Sequence, residues 1–187
     1  MQKKEVLPVI PSKDFFLGNR EAPVQLTVFG DYESADTRKL NEMIMQVLKS
    51  FEGKVSFSYR HFPLTQIHQR AHKAAEAVIA AGQEGRYWEM HQLVMEHPHS
   101  LGIISLKSLA REAGVVNKRF LDQLMNGTFG WNVQDDLREG LSLGIREVPV
   151  LLINGSIIEK PLVAGHVNKA IRELLTKSPR ANGRVAA

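Results

Sequence analysis

The chain has 187 residues, enough for one domain with a sizeable buried core. Its apolar (43%) and charged (24%) fractions are ordinary for a globular protein, which sets disorder aside. The formal net charge of +4 is modest and its basic residues are spread along the chain, with a small excess at Lys3, Lys4, Lys177, Arg180 and Arg184, so nothing points to nucleic acid. No apolar run reaches the roughly 18 residues a membrane-spanning helix needs.

Residues 1–23 hold three prolines and alternate short apolar and polar pieces, which reads as an arm lying on the domain. Its first residues are basic but lack the apolar stretch and cleavage site of an export signal. With no cysteine anywhere in the chain, a cytoplasmic location is expected. Val24 to Phe29 is interrupted only by Gln25 and Thr27, the pattern of a largely buried strand. Ser34 is then placed as a helix N-cap, and Asp36 falls in the first turn, where negative charge complements the helix dipole. Leu40, Met43, Ile44, Val47, Leu48 and Phe51 recur at helical spacing, and Gly53 ends the helix. Val55, Phe57 and Tyr59 alternate with polar neighbours in a second strand from Lys54 to His61. Strand, helix and strand make a βαβ unit with parallel strands.

Phe62-Pro63-Leu64 breaks that strand, and a mostly helical stretch follows from about Ile67 to Gly144. Ala71 to Ala81 is rich in strong helix formers and ends at Gly82. Tyr87, Met90, His91 and Val94 form the next apolar stripe, stopped by Pro98. Three more short helices carry Leu106, Leu109 and Ala110; Phe120, Leu121 and Leu124; and Val133, Leu137 and Leu141. They are divided at Gly114, Gly127 and Gly144. The sheet resumes at Val150 to Ile153. Asn154-Gly155 predicts a type I′ turn into Ser156–Ile158. Val163 to Leu175 is an amphipathic helix, and a polar tail follows from Ser178.

Five segments carry a family resemblance when taken in order. They are Leu17-Gly18 with Ala22-Pro23-Val24; Phe29-Gly30-Asp31-Tyr32-Glu33; Tyr59-Arg60-His61-Phe62-Pro63-Leu64 with Ile67-His68 and Ala74-Ala75; Trp88-Glu89-Met90-His91; and Val148-Pro149 with Ile153-Asn154-Gly155. Together they resemble the DsbA-like branch of the thioredoxin superfamily from about Phe16 to Leu175. The resemblance implies an α/β protein of thioredoxin fold (β-α-β, then β-β-α) with a helical insertion. Its divisions are an arm (1–23), the βαβ half (24–64), the insertion (65–144), the ββα half (145–176) and a tail (177–187). It also implies that Pro149 is cis and faces the start of the first long helix across a groove.

In that family the helix opens with Cys-x-x-Cys, whereas here the four positions are Ser34, Ala35, Asp36 and Thr37. Thiol exchange needs a thiolate, and a serine hydroxyl needs an adjacent base even to become a nucleophile. The resemblance therefore implies the fold without dithiol–disulfide oxidoreductase activity. The leading expectation is a redox-inactive module that binds a peptide, protein or small ligand in a groove made by Ser34, Ala35, Asp36, Thr37, Val148 and Pro149. The alternative is a glutathione-dependent transferase or isomerase, similar to the kappa class, with Ser34 orienting the glutathione thiol. No other cofactor is expected. Trp131 is a candidate to cover the groove from the insertion side. His68 and His72 stand one helical turn apart, but no third ligand at a diagnostic spacing accompanies them, so no metal is expected. His97 falls at a helix end, where a cationic side chain is useful in any case.

Overall fold

The computed structural model describes residues 9–177; the expectations for residues 1–8 and for the tail from Ser178 lie outside that range. Five strands form one mixed sheet in the order β1-β3-β2-β4-β5. They are β1 (Leu17–Gly18), β2 (Val24–Gly30), β3 (Val55–His61), β4 (Val150–Ile153) and β5 (Ser156–Ile157). Helix α1 (Ala35–Ser50) joins β2 to β3, which run parallel, as the βαβ reading requires. Five helices lie between β3 and β4: α2 (Ala71–Gly82), α3 (Tyr87–Glu96), α4 (Ile103–Glu112), α5 (Phe120–Met125) and α6 (Gly130–Ser142). Helix α7 (Ala164–Lys177) follows the β4–β5 hairpin, whose turn residues Asn154 and Gly155 take φ of 48° and 79°.

Strand registry explains the two-sided core. Leu26 stands opposite both Phe57 and Ile153, and Val28 opposite both Tyr59 and Leu151, so these six side chains share one face of the sheet. They belong to the main core with Ile44 and Val47 of α1 and Val167 and Ile171 of α7. The alternate residues Phe29 and Leu152 face the other way and form a second cluster with Phe62 and Ile145. Burial on both faces is why β2 reads as an almost continuous apolar run.

Two boundaries differ from the sequence reading. The arm contributes elements of its own, a 3-10 turn at Ser12–Asp14 and the edge strand β1, antiparallel to β3. Gly18 permits that strand. Its φ is +89°, and a Cβ there would lie 2.8 Å from the carbonyl oxygen of Val55. At the other end Lys177 is the last residue of α7, so the helix runs one residue into the expected tail.

Candidate functional site

The loop between β2 and α1 is fixed before the helix begins. The buried Asp31 carboxylate accepts the Glu33 N–H at 2.7 Å on one oxygen; on the other it accepts the Leu64 N–H at 2.7 Å and meets His68 Nδ1 at 3.0 Å. Glu33 in turn accepts the N–H groups of Arg70 (2.7 Å) and Ala71 (2.9 Å), serving the start of α2. Tyr32 points into the core, where its hydroxyl lies 2.8 Å from His91 Nδ1, and His91 Nε2 lies 3.0 Å from Asn41 Oδ1. The pattern suits a neutral imidazole that accepts from the tyrosine and donates to the amide. Burial lowers the His91 pKa to about 3 and pushes that of His61 well below the ordinary histidine range.

Ser34 caps α1, its Oγ accepting the Thr37 N–H at 3.2 Å. Ala35 and Asp36 are exposed on the first turn, and Asp36 pairs with Lys39 at 3.3 Å. Thr37 is fully buried, and its Oγ1 accepts the Asp31 N–H at 3.3 Å. A Cβ placed on Gly30 would lie 2.6 Å from both Thr37 Cγ2 and Tyr59 Oη, so this glycine allows the strand end and the helix to close on each other. The second family cysteine position has become an internal strut.

Across from the helix start, the Val148–Pro149 peptide bond is cis, with Pro149 buried and Val148 half-buried. Between them lies a cleft of about 360 Å³ lined by Asp36, Lys39, Leu40, Val148, Pro149, Lys160, Pro161 and Leu162. Of the six residues expected in the groove, Asp36, Val148 and Pro149 line this cleft. Ser34 and Ala35 stand beside it at the helix start, and Thr37 is enclosed behind. The sequence reading missed Lys39, Leu40 and the Lys160-Pro161-Leu162 loop that leads into α7. Trp131 is elsewhere, 76% exposed on α6 beside a different cavity. The cleft rim carries both charge signs, since Lys160 also pairs with Glu147 at 2.7 Å.

The chemistry available here is limited. No thiol exists in the chain. Ser34 Oγ is engaged with a backbone N–H, and among the described residues no histidine lines the cleft to act as its base. His68 and His72 do not converge on a common point; His72 Nδ1 sits 3.1 Å from Glu76 Oε1, away from the Asp31 partner of His68. His97 Nδ1 lies 2.9 Å from the Leu93 carbonyl, at the end of α3.

A family model described as Thioredoxin matches residues 12–173. The chain belongs to the thioredoxin family. Its fold is that of the DsbA-like proteins. BdbD from Bacillus subtilis superposes with a TM-score of 0.79 at 22% identity, over 86% of this chain and 92% of that one. The thiol-disulfide exchange protein α-DsbA2 from Wolbachia pipientis gives 0.72 at 18% identity, over 85% and 86% of the two chains. Curated relatives are of another kind. A Na(+)/H(+) antiporter NhaA 1 from Salinispora arenicola is 31% identical over 150 residues, 80% of this chain and 23% of that protein. One from Mycolicibacterium gilvum is 29% identical over 171 residues, 90% and 28% of the two. The chain thus spans about a quarter of the length of these relatives.

Proposed function

We propose that this chain is a redox-silent binding module that holds an extended peptide segment between the start of α1 and Val148-Pro149. The observation that carries this reading is the Val148 backbone, whose N–H and C=O have no hydrogen-bond partner among the described residues. It stands at the wall of a cleft whose apolar lining comes from Leu40, Pro149, Pro161 and Leu162. An unpaired backbone beside an apolar cleft suits an extended segment, with main-chain hydrogen bonds for affinity and a recess for one side chain. The rim pairs Asp36–Lys39 and Glu147–Lys160 favour a segment of balanced charge. The cytoplasmic location expected from the sequence remains part of this proposal.

Glutathione is the competing occupant, with Ser34 orienting its sulfur. Against it stand the Ser34 hydroxyl already engaged by Thr37 and the Asp36 carboxylate at the cleft, which repels a bound thiolate. Peptides selected from a phage-displayed random dodecapeptide library, mapped by ¹H–¹⁵N NMR, separate the two readings. The proposal expects perturbations centred on Val148, Asp36 and Leu162. Selection of no peptide, or perturbations confined elsewhere, contradicts it.

A second reading concerns partners, and rests on the named relatives. The two relatives from Salinispora arenicola and Mycolicibacterium gilvum are named Na(+)/H(+) antiporters, and the matching segment is about a quarter of each. No helix among the described residues is long and apolar enough to cross a membrane. We therefore propose that the module works outside the bilayer with a transporter of that kind. Its test is binding of the purified chain to vesicles containing the Salinispora arenicola antiporter with the matching segment deleted. Equal binding to protein-free vesicles would contradict it.

A further inference from the structure

A second cavity, of about 310 Å³, opens between α2 and α6, lined by His72, Glu76, Gly127, Gly130, Trp131 and Gln134. Glu76 forms its inner end and is only 1% exposed. One carboxylate oxygen, Oε1, accepts from Lys73 Nζ at 2.8 Å and lies 3.1 Å from His72 Nδ1. The other, Oε2, is buried and has no hydrogen-bond partner among the described residues. A buried carboxylate oxygen left without a donor is costly, and a ligand bearing N–H groups would remove that cost.

The surroundings narrow the ligand's chemistry. A Cβ on Gly127 would stand 3.8 Å from Glu76 Oε2, and one on Gly130 would stand 3.6 Å from His72 Cε1. The two glycines therefore keep side chains out of the approach to the carboxylate. Trp131, at the mouth, is 76% exposed and offers an aromatic face to solvent. Gln134 reaches His72 Nε2 through its amide nitrogen at 3.5 Å, and its carbonyl oxygen makes no hydrogen bond among the described residues. An aromatic face, a carboxylate acceptor and an amide acceptor together match a planar cation with several N–H donors.

We propose that this cavity binds a guanidinium group, stacked against Trp131 and donating to Glu76 Oε2 and Gln134. The carboxylate is ionised for that role. Burial works to raise its pKa, but the hydrogen bonds from His72 and Lys73 and the Lys73 charge outweigh burial and leave it below the ordinary value. A quaternary ammonium would satisfy the aromatic face alone, and a neutral urea the hydrogen bonds alone.

The test is titration of the ¹⁵N-labelled protein with N-methylguanidinium chloride, following the Trp131 indole N–H, with N-methylurea and tetramethylammonium chloride as controls. The expected result is a saturable shift with N-methylguanidinium, at least tenfold weaker with either control. Calorimetry on Trp131→Ala and Gly130→Ala should then show binding weakened about tenfold or lost. Trp131→Ala leaves the Glu76 ion pairs with His72 and Lys73 in place, so it reports even if Glu76→Gln fails to fold. Comparing N-acetyl-arginine-N-methylamide with free arginine distinguishes a chain-borne side chain from a small solute. A shift equal for N-methylurea, or binding unchanged in both variants, overturns the proposal.

Discussion

Thr37 Oγ1 accepts the backbone N–H of Asp31 at 3.3 Å from a fully buried position, joining the first turn of α1 to the loop that precedes it. Where the family has its second cysteine, this chain has a hydroxyl engaged in structure. Thr37→Val keeps the shape and removes the acceptor. The expected loss is about 1–2 kcal/mol in urea denaturation, because the Asp31 amide is left unsatisfied. Ser34→Ala, which removes only the cap, should cost about 1 kcal/mol. The cleft should bind its ligand in both variants as it does in the parent.

Restoring the pair as Ser34→Cys with Thr37→Cys should recreate a dithiol at a helix N-terminus, where the exposed thiol has a depressed pKa. Free-thiol titration should find both thiols after reduction and neither after mild oxidation. The parent chain should be inactive in an insulin-reduction assay, since it holds no sulfhydryl of its own. Activity in the parent would show that a different chemistry operates.

Acid should destabilise the fold through its buried histidines. His91 is neutral in the folded state down to about pH 3, whereas the unfolded chain takes up that proton near the ordinary histidine value of about 6.5. Stability is therefore complete above pH 6.5 and falls as pH drops toward the folded value, with the unfolded state binding more protons throughout that window. His61 acts in the same direction. For His91 the loss between pH 7.5 and pH 5 is about 2 kcal/mol. Urea midpoints at pH 7.5 and 5.0 measure the effect, and His91→Gln should flatten part of the slope. A midpoint independent of pH would contradict the assignment.

The insertion is tied to the sheet by one buried cation. Arg60 of β3 donates to Asp136 Oδ1 at 2.7 Å, and to both carboxylate oxygens of Glu139, while Asp136 Oδ2 accepts the His61 N–H at 2.9 Å. Arg60→Met leaves the Asp136 carboxylate buried without its cation, and should cost about 3–5 kcal/mol. Arg60→Met combined with Asp136→Leu should recover most of the loss. Denaturation curves for the two single variants and the double close the cycle.

What the sequence showed and what it hid divide along physical lines. Val24–Gly30 was legible because burial on both faces leaves an apolar run, and Ser34 because a capping hydroxyl acts on a donor three residues away. Asp31 was not: an acidic residue in a loop reads as solvated, yet its carboxylate is closed by Leu64 and His68, more than thirty residues away. Lys39 and Leu162 meet at the cleft only through tertiary packing, and no local pattern marks them. Trp131 was misplaced because its position on a helix does not tell which side of the insertion that helix presents.

The central claim is that the cleft beside Val148 binds an extended segment without thiol chemistry. Its most direct test is a calorimetric and NMR titration of the ¹⁵N-labelled chain with a library-selected dodecapeptide, set beside reduced glutathione on the parent and on Ser34→Ala. The account predicts saturable peptide binding that moves the Val148 and Leu162 amides, no heat from glutathione at millimolar concentration, and the same peptide affinity in Ser34→Ala. Saturable glutathione binding, weakened by Ser34→Ala, would contradict it and assign the cleft to thiol-dependent catalysis.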